Sequence, residues 1–401
     1  MKMSIAHKTI NQKHFFAQSL ICLLAFFIPI SQYISSKLLL LIFIPIIFIQ
    51  RKRMLEIVRK TIDILVYFFV AIVGLFYTDN LREGLRSMET ASCFLAIPLV
   101  FNLIQPFTTK ELKRIFVFFA SGVLLSSLFC IFTAIVSYVE NASFSSFFFH
   151  GFTNIIDFQP TYFAYYLVFS ITFALYSLNY DEDFLNSNIV IFAILFFFLI
   201  LILSGGRTAF MSLLLVFSFF ILRFFLDGNE NVRIPTLSLI LIMVIFIFSA
   251  TFYEKVNRTL ILNDSWDRYG LWKSAISANQ NVLFGVGTGD YKVVLNEYFR
   301  SHNMEKYAVD NLNSHNQFIQ TYLSNGLLGL ISIIFLLGRP LYLSFVRGYT
   351  LGILVFFPFI LYGMTEVFLG RYQGVVFFAF LHQVFISYLD SSKPTIDLKR
   401  T

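Results

Sequence analysis

The sequence predicts an all-α polytopic membrane protein with about twelve transmembrane helices and one large polar loop. Three observations carry that prediction. Of the 401 residues, 57% are hydrophobic and only 13% are charged, against about 45–50% and about 25% in soluble domains. The chain holds 53 Phe, more apolar surface than a water-soluble core of this size needs. The runs 15–34, 62–77, 115–139, 189–204, 208–225 and 236–252 are each about long enough to cross a hydrocarbon layer of about 30 Å as a helix.

Taken in order, helices are expected over 15–33, 35–49, 60–77, 91–106, 114–138, 161–178, 189–204, 208–225, 236–252, 318–338, 349–367 and 373–389, so that 1–401 forms one transmembrane domain. The first run follows Lys2, Lys8 and Lys13 as a secretory signal would. No small-x-small cleavage site follows Pro29 and Ile30, however, and it reads as an uncleaved first helix. Cys22, Cys93 and Cys130 all fall inside apolar runs, where a thiol is most often a small buried hydrophobe. They imply neither a disulfide nor a metal framework.

The net charge of +7 is scattered over short connections instead of one soluble face. It therefore speaks of orientation in a membrane and not of nucleic acid. A cytoplasmic N-terminus gathers Arg51, Lys52, Arg53, Arg59, Lys60, Lys110, Lys113, Arg114, Arg223, Arg233, Arg339 and Arg347 on the inner side, and the C-terminal Lys393, Lys399 and Arg400 with them. The short outer loops keep only Lys37, Arg82, Arg86, Arg207 and Arg371. Both ends are then cytoplasmic, and two long segments, 140–160 and 253–318, lie outside. The second, inserted between the ninth and tenth helices, holds both tryptophans, several glycines and a dense set of Arg, His, Asn and Asp. It reads as a small folded cap, because long loops are usually functional or disordered.

Within the cap, Asn263, Asp264 and Ser265 offer helix caps ahead of Trp266, Tyr269, Trp272 and Ile276 at helical spacing. Arg268 and Trp272, four apart, can stack, and they serve equally as an interfacial anchor beside a solvated Arg. The run Gly285-Val286-Gly287-Thr288-Gly289-Asp290-Tyr291 suits an anion held by backbone amides and equally suits a tight turn. Ser314 with Gln317 fits a capping box, which would put His315 and Asn316 in the first helical turn at the outer surface. The positive end of that helix disfavours imidazolium, and a neutral imidazole accepts a proton from a hydroxyl. Arg207 follows the helix break Ser204-Gly205-Gly206, where helix-end amides and a guanidinium together suit a diphosphate; an interfacial snorkelling Arg fits as well. Arg82 and Arg86 add positive potential or simply form a solvated pair.

Several chemistries lack their residues. The outer segments show no Asp-x-Asp pair and no His/Cys cluster, so no metal site is apparent and no cofactor is called for. Neither an acyl-transfer motif nor a phosphate-binding P-loop is present. An outer face rich in Arg, with one well-placed His, points to an anionic leaving group neutralised by guanidinium groups.

In sequence order, Ser204-Gly205-Gly206-Arg207, Arg268-Tyr269-Gly270-Leu271-Trp272, Gly285-Val286-Gly287-Thr288-Gly289, Ser314-His315-Asn316 and Asn325-Gly326-Leu327-Leu328-Gly329 resemble the bacterial O-antigen ligase and O-antigen polymerase superfamily. The resemblance covers about 189–338 by motif and the remainder by helix count and sidedness. It implies a C-type glycosyltransferase-like fold in the bacterial inner membrane, acting on the periplasmic face without a metal and with inversion at the anomeric carbon. The donor would be a glycan on undecaprenyl diphosphate and the acceptor the lipid A core, with membrane lipids around both. Carried over by motif, His315 would be the base, and Arg207 and Arg268 would bind the diphosphate. Asp290, Tyr291 and Asn316, with Arg82 and Arg86, are secondary candidates.

Two departures from the family pattern matter. The first outer loop, 31–37, lacks the carboxylate base of many C-type enzymes, which agrees with a His base. The glycine run is common to ligases and polymerases, which leaves the acceptor open. The ligase is the first expectation; a polymerase would use a second lipid-linked repeat as acceptor. A transporter of lipid-linked sugars would place ionisable groups near the bilayer midplane. Here they concentrate at helix ends and in the cap, with His382 and Glu366 as exceptions that read as structural polar contacts.

Overall fold

A computed structural model describes residues 17–43, 51–101, 108–180, 186–227 and 268–391. Among them every regular element is helical. The first part of the chain gives α1 (Ala17–Phe27), α2 (Gln32–Phe43), α3 (Arg51–Lys60), α4 (Ile62–Val73), α5 (Leu81–Ala91) and α6 (Cys93–Phe101). The middle gives α7 (Thr109–Asn141), α8 (Phe149–Thr153), α9 (Pro160–Tyr180), α10 (Ser187–Ser204) and α11 (Arg207–Asp227). The last part gives α12 (Arg268–Ala278), α13 (Tyr291–Ser301), α14 (Glu305–Val309), α15 (Gln317–Val346), α16 (Thr350–Thr365) and α17 (Tyr372–Ser391).

Five of these are long and apolar enough to cross a membrane: α7, α9, α10, α15 and α17 up to Leu389. Three shorter apolar helices cover Ala17–Phe27, Ile62–Tyr77 and Thr350–Thr365. The spans expected at 189–204, 318–338 and 373–389 coincide with α10, α15 and α17. The expected helix over 236–252 and the caps Asn263 to Ser265 lie outside the described residues, as does Trp266.

Two compact units emerge, Met1–Ser126 with Leu271–Thr401, and Ser127–Gly270. In the first, α17 is the central helix: Val375 through Ile386 are all buried. Its Phe378 is ringed by Phe94, Phe356, Phe359 and Phe368 at centroid distances of 5.2–6.3 Å. Such aromatic pairs add packing energy beyond the area they bury. Against this core lie α4 and α16, both packed on α15.

A charged cluster is sealed inside the same unit. Asp63, in the first turn of α4, receives Arg339 Nη1 of α15 at 3.0 Å and faces His382 Nε2 of α17 at 2.6 Å. Arg339 also donates to the carbonyls of Lys60 and Arg59, which end α3. Asp63 and His382 are fully buried. Charges at membrane depth persist only when paired in this way.

The second unit is built around α9, whose face from Tyr162 to Leu175 is almost wholly buried against α10 and α11. Gly206 is buried where an added Cβ would meet the Ala164 methyl at 2.7 Å, so these helices approach closely through small residues. Tyr165 and Ser212 share a hydrogen bond of 2.9 Å.

Residues 271–312 form a core with the start of α15, in which Leu271, Ala275 and Ala278 of α12 join Leu295 and Phe299 of α13, Ala308 of α14, Leu312 and, from α15, Leu323.

Candidate functional site

The glycine run is a stitch between the cap and a broken membrane helix. At Gly326 the backbone of α15 leaves the helical region (φ 63, ψ −153), a conformation that favours glycine. A break in a spanning helix leaves polar backbone groups that lipid cannot satisfy. The run satisfies them: Val286 and Gly287 amides donate to the carbonyls of Leu323 and Ser324, both at 2.9 Å, while Leu327 and Leu328 amides donate to Val282 and Leu283. A Cβ on Gly326 would strike the Leu283 carbonyl.

The same stitch reaches α4 and α5. Thr288 Oγ1 donates to the Ala71 carbonyl at 2.7 Å and accepts from Asn325 Nδ2 at 3.1 Å. The Gly289 amide donates to Thr78 Oγ1, and Tyr77 donates to the Phe284 carbonyl at 2.6 Å. Asp290 is buried and its carboxylate accepts the amides of Asp79 and Asn80 at 2.8 and 2.7 Å. Those amides lie just ahead of α5, where the Asn80 side chain caps the Glu83 amide. The amides of this glycine run are thus spent on protein carbonyls and a hydroxyl.

Tyr291 opens α13, and burial pushes its phenol up to about 12, the Glu83 carboxylate adding to the effect and Arg371 opposing it. Lys292 Nζ lies 3.6 Å from Glu83, which also pairs with the exposed Arg86 at 3.8 Å. Arg82, on the same helix, is exposed. Hence Arg82, Arg86, Asp290 and Tyr291 gather where α5 meets the start of α13.

His315 sits where the cap re-enters α15. The capping box expected from Ser314 and Gln317 is not formed. Asn316 is the N-cap, its Oδ1 accepting the amides of Phe318 and Ile319 at 3.0 and 3.1 Å. Ser314 is fully buried, and its hydroxyl is bonded to the Asn316 carbonyl and Gln320 Oε1. The helix therefore starts at Gln317, and His315 precedes it with φ 44, its amide held by Asn313 Oδ1 at 2.8 Å. A non-glycine residue in that region is held there by its surroundings.

The surroundings are the end of α16. His315 Nδ1 lies 3.3 Å from Glu366 Oε2, with side-chain exposures of 20% and 17%. Asn316 Nδ2 donates to the Met364 carbonyl at 3.2 Å, and the Leu369 amide donates to Gln317 Oε1 at 2.8 Å. Sequence reading assigned Glu366 to structural contacts; its contact is with the candidate base. The signal available was a lone carboxylate closing an apolar run beside a short turn.

In the second unit, α10 ends at Gly205 (φ 70), and Arg207 is the exposed first residue of α11. Arg268 is the exposed first residue of α12. The Arg207 guanidinium thus stands at a helix start, where free amides favour anions, and Arg268 is the first described residue of its helix. No group of three or more His, Cys, Asp and Glu is arranged to hold a metal among the described residues.

Apolar spans interrupted by polar turns define a multi-pass membrane protein. Residues 192–334 match the family described as O-Antigen ligase, which places this stretch in the O-antigen ligase and polymerase superfamily. All five motifs of the resemblance lie inside that stretch. An uncharacterized protein of Haemophilus influenzae is 25% identical over 140 residues, covering 32% of this chain and 34% of the relative. The chain thus spans about a third of the length of the curated relative it matches.

Proposed function

We propose that the chain is an O-antigen ligase-type glycosyltransferase. It moves a glycan from undecaprenyl diphosphate to the lipid A core, or to another hydroxyl acceptor, on the periplasmic face of the bacterial inner membrane. The observation that carries this reading is His315 itself, held out of regular structure at the foot of a membrane helix and inside the matched stretch. Both termini lie in the cytoplasm, and 253–318 is the periplasmic cap.

In the proposed step, the acceptor hydroxyl oxygen forms a bond to the anomeric carbon while its proton passes to a His315 ring nitrogen. The bond from the anomeric carbon to the diphosphate oxygen breaks, and its electron pair leaves with undecaprenyl diphosphate. Attack from the opposite face inverts the centre. Arg207 and Arg268 neutralise the departing diphosphate, a charge-stabilising role that needs no metal ion. Positioning of two lipid-anchored reactants contributes much of the remaining rate.

The test is the glycan profile of a strain lacking the gene, complemented with wild type, His315→Ala or Arg207→Ala. Both variants reach the membrane, and neither restores core-linked glycan while long glycans accumulate on the carrier. Full transfer by both overturns the catalytic assignment. Core capped by single repeats in the deletion strain assigns the chain to the polymerase instead.

A further inference from the structure

The end of α16 is fixed to the start of α15 on both sides of one carboxylate. Asn316 ties to the Met364 carbonyl, two residues before Glu366, and Gln317 ties to the Leu369 amide, three residues after it. Between these ties Glu366 is extended (φ −145, ψ 152), its amide donating to the Tyr362 carbonyl. Phe368, fully buried and stacked on Tyr362 at 5.4 Å, anchors the turn that follows. Packing closes the same seam at Gly363, where a Cβ would meet the Phe318 ring at 3.2 Å.

Opposite this carboxylate the backbone is strained. A left-handed non-glycine residue is strained and persists where its surroundings impose it. At His315 the strain brings Nδ1 to 3.3 Å from Glu366 Oε2. A pair of this kind, still 17–20% exposed, returns little stability. What the geometry does provide is direction: a carboxylate accepting from Nδ1 keeps the proton on that nitrogen, fixes the ring plane and leaves Nε2 as the accepting atom.

We propose that Glu366 is a positioning residue for His315, selecting the ring tautomer and orientation in which Nε2 takes the acceptor's proton. This rests on His315 being the base. Glu366 touches neither reactant, and the proton that His315 gains leaves through solvent after transfer.

The test uses the full-length protein in liposomes, with the host's own undecaprenyl-diphosphate-linked glycan as donor and lipid A core extracted from the deletion strain as acceptor. Turnover is referred to folded protein. Glu366→Gln lowers kcat at least about tenfold, up to the about 10²–10⁴ that the general base as a whole contributes, and leaves the donor KM within about twofold. Glu366→Asp recovers part of the loss. The double variant with His315→Ala is no slower than His315→Ala alone, because the two residues act as one unit.

Wild-type kcat in Glu366→Gln beside an inactive His315→Ala overturns the positioning role and leaves the base assignment standing. Wild-type kcat in His315→Ala removes the base assignment itself. A double variant slower than His315→Ala overturns the coupling. If Glu366→Gln fails to reach the membrane, Glu366→Asp alone decides: a lowered kcat supports the role and an unchanged kcat overturns it.

Discussion

Helix α15 carries a charged contact at each end, and the two are built differently. From Gln317 to Arg339 the helix rises about 33 Å, roughly the thickness of the hydrocarbon layer. At the far end Arg339, Asp63 and His382 form a set in which the fully buried carboxylate has a partner on each oxygen, and Gln383 Nε2 lies 3.2 Å from the remaining nitrogen of the buried His382. At the near end His315 Nδ1 lies 3.3 Å from Glu366 Oε2, a longer contact between two partly exposed side chains, on a strained backbone. The Asp63 set acts as a fastener, with both oxygens of Asp63 and both ring nitrogens of His382 matched to a partner. The His315–Glu366 pair combines backbone strain with partial exposure, as reacting residues do.

That contrast predicts unequal responses to substitution. Asp63→Ala leaves Arg339 without its counter-charge and the buried His382 without its hydrogen-bond partner, and costs about 3–5 kcal/mol; thermal unfolding in detergent shows the loss, and an unchanged midpoint would erase the distinction between the ends. Gly326→Ala forces a side chain onto the left-handed break and the Leu283 carbonyl, at about 2 kcal/mol or more, seen in the same melt.

Asn316→Ala removes an N-cap worth about 1 kcal/mol. It also frees the Met364 carbonyl beside Glu366, so transfer per folded protein falls further than stability does; equal losses would argue that this end, too, is a fastener. Arg86→Ala sits at the bottom of the scale. Its side chain is 77% exposed, and the melt moves by no more than about 0.5 kcal/mol.

Much of the architecture was legible because lipid imposes simple rules on sequence. α10 and α17 follow from unbroken apolar runs, and the helix break before Arg207 follows from Gly205 and Gly206. The start of α15 was misassigned by a local rule that two residues could satisfy. Ser314 and Asn316 both make good caps, and the choice fell to Asn316 because burial commits the Ser314 hydroxyl to Gln320. Glu366 is 51 residues from His315, and Asp63 is 319 from His382. No local pattern reports such pairings, which arise only when helices pack. For the glycine run the sequence leaves an anion cradle and a tight turn equally open; in the fold its amides meet another stretch of the same chain.

The seam between that run and the broken α15 has a consequence for how the protein is made. The ribosome delivers residues 282–288 before residues 323–328, so the segment that completes the helix precedes the helix that needs it. Until the two meet, the carbonyls of Leu323 and Ser324 and the amides of Leu327 and Leu328 keep α15 from settling among lipid chains. Closure of this seam and settling of this helix are therefore one event, and a chain shortened by removing 282–288 would leave the break in α15 unsatisfied.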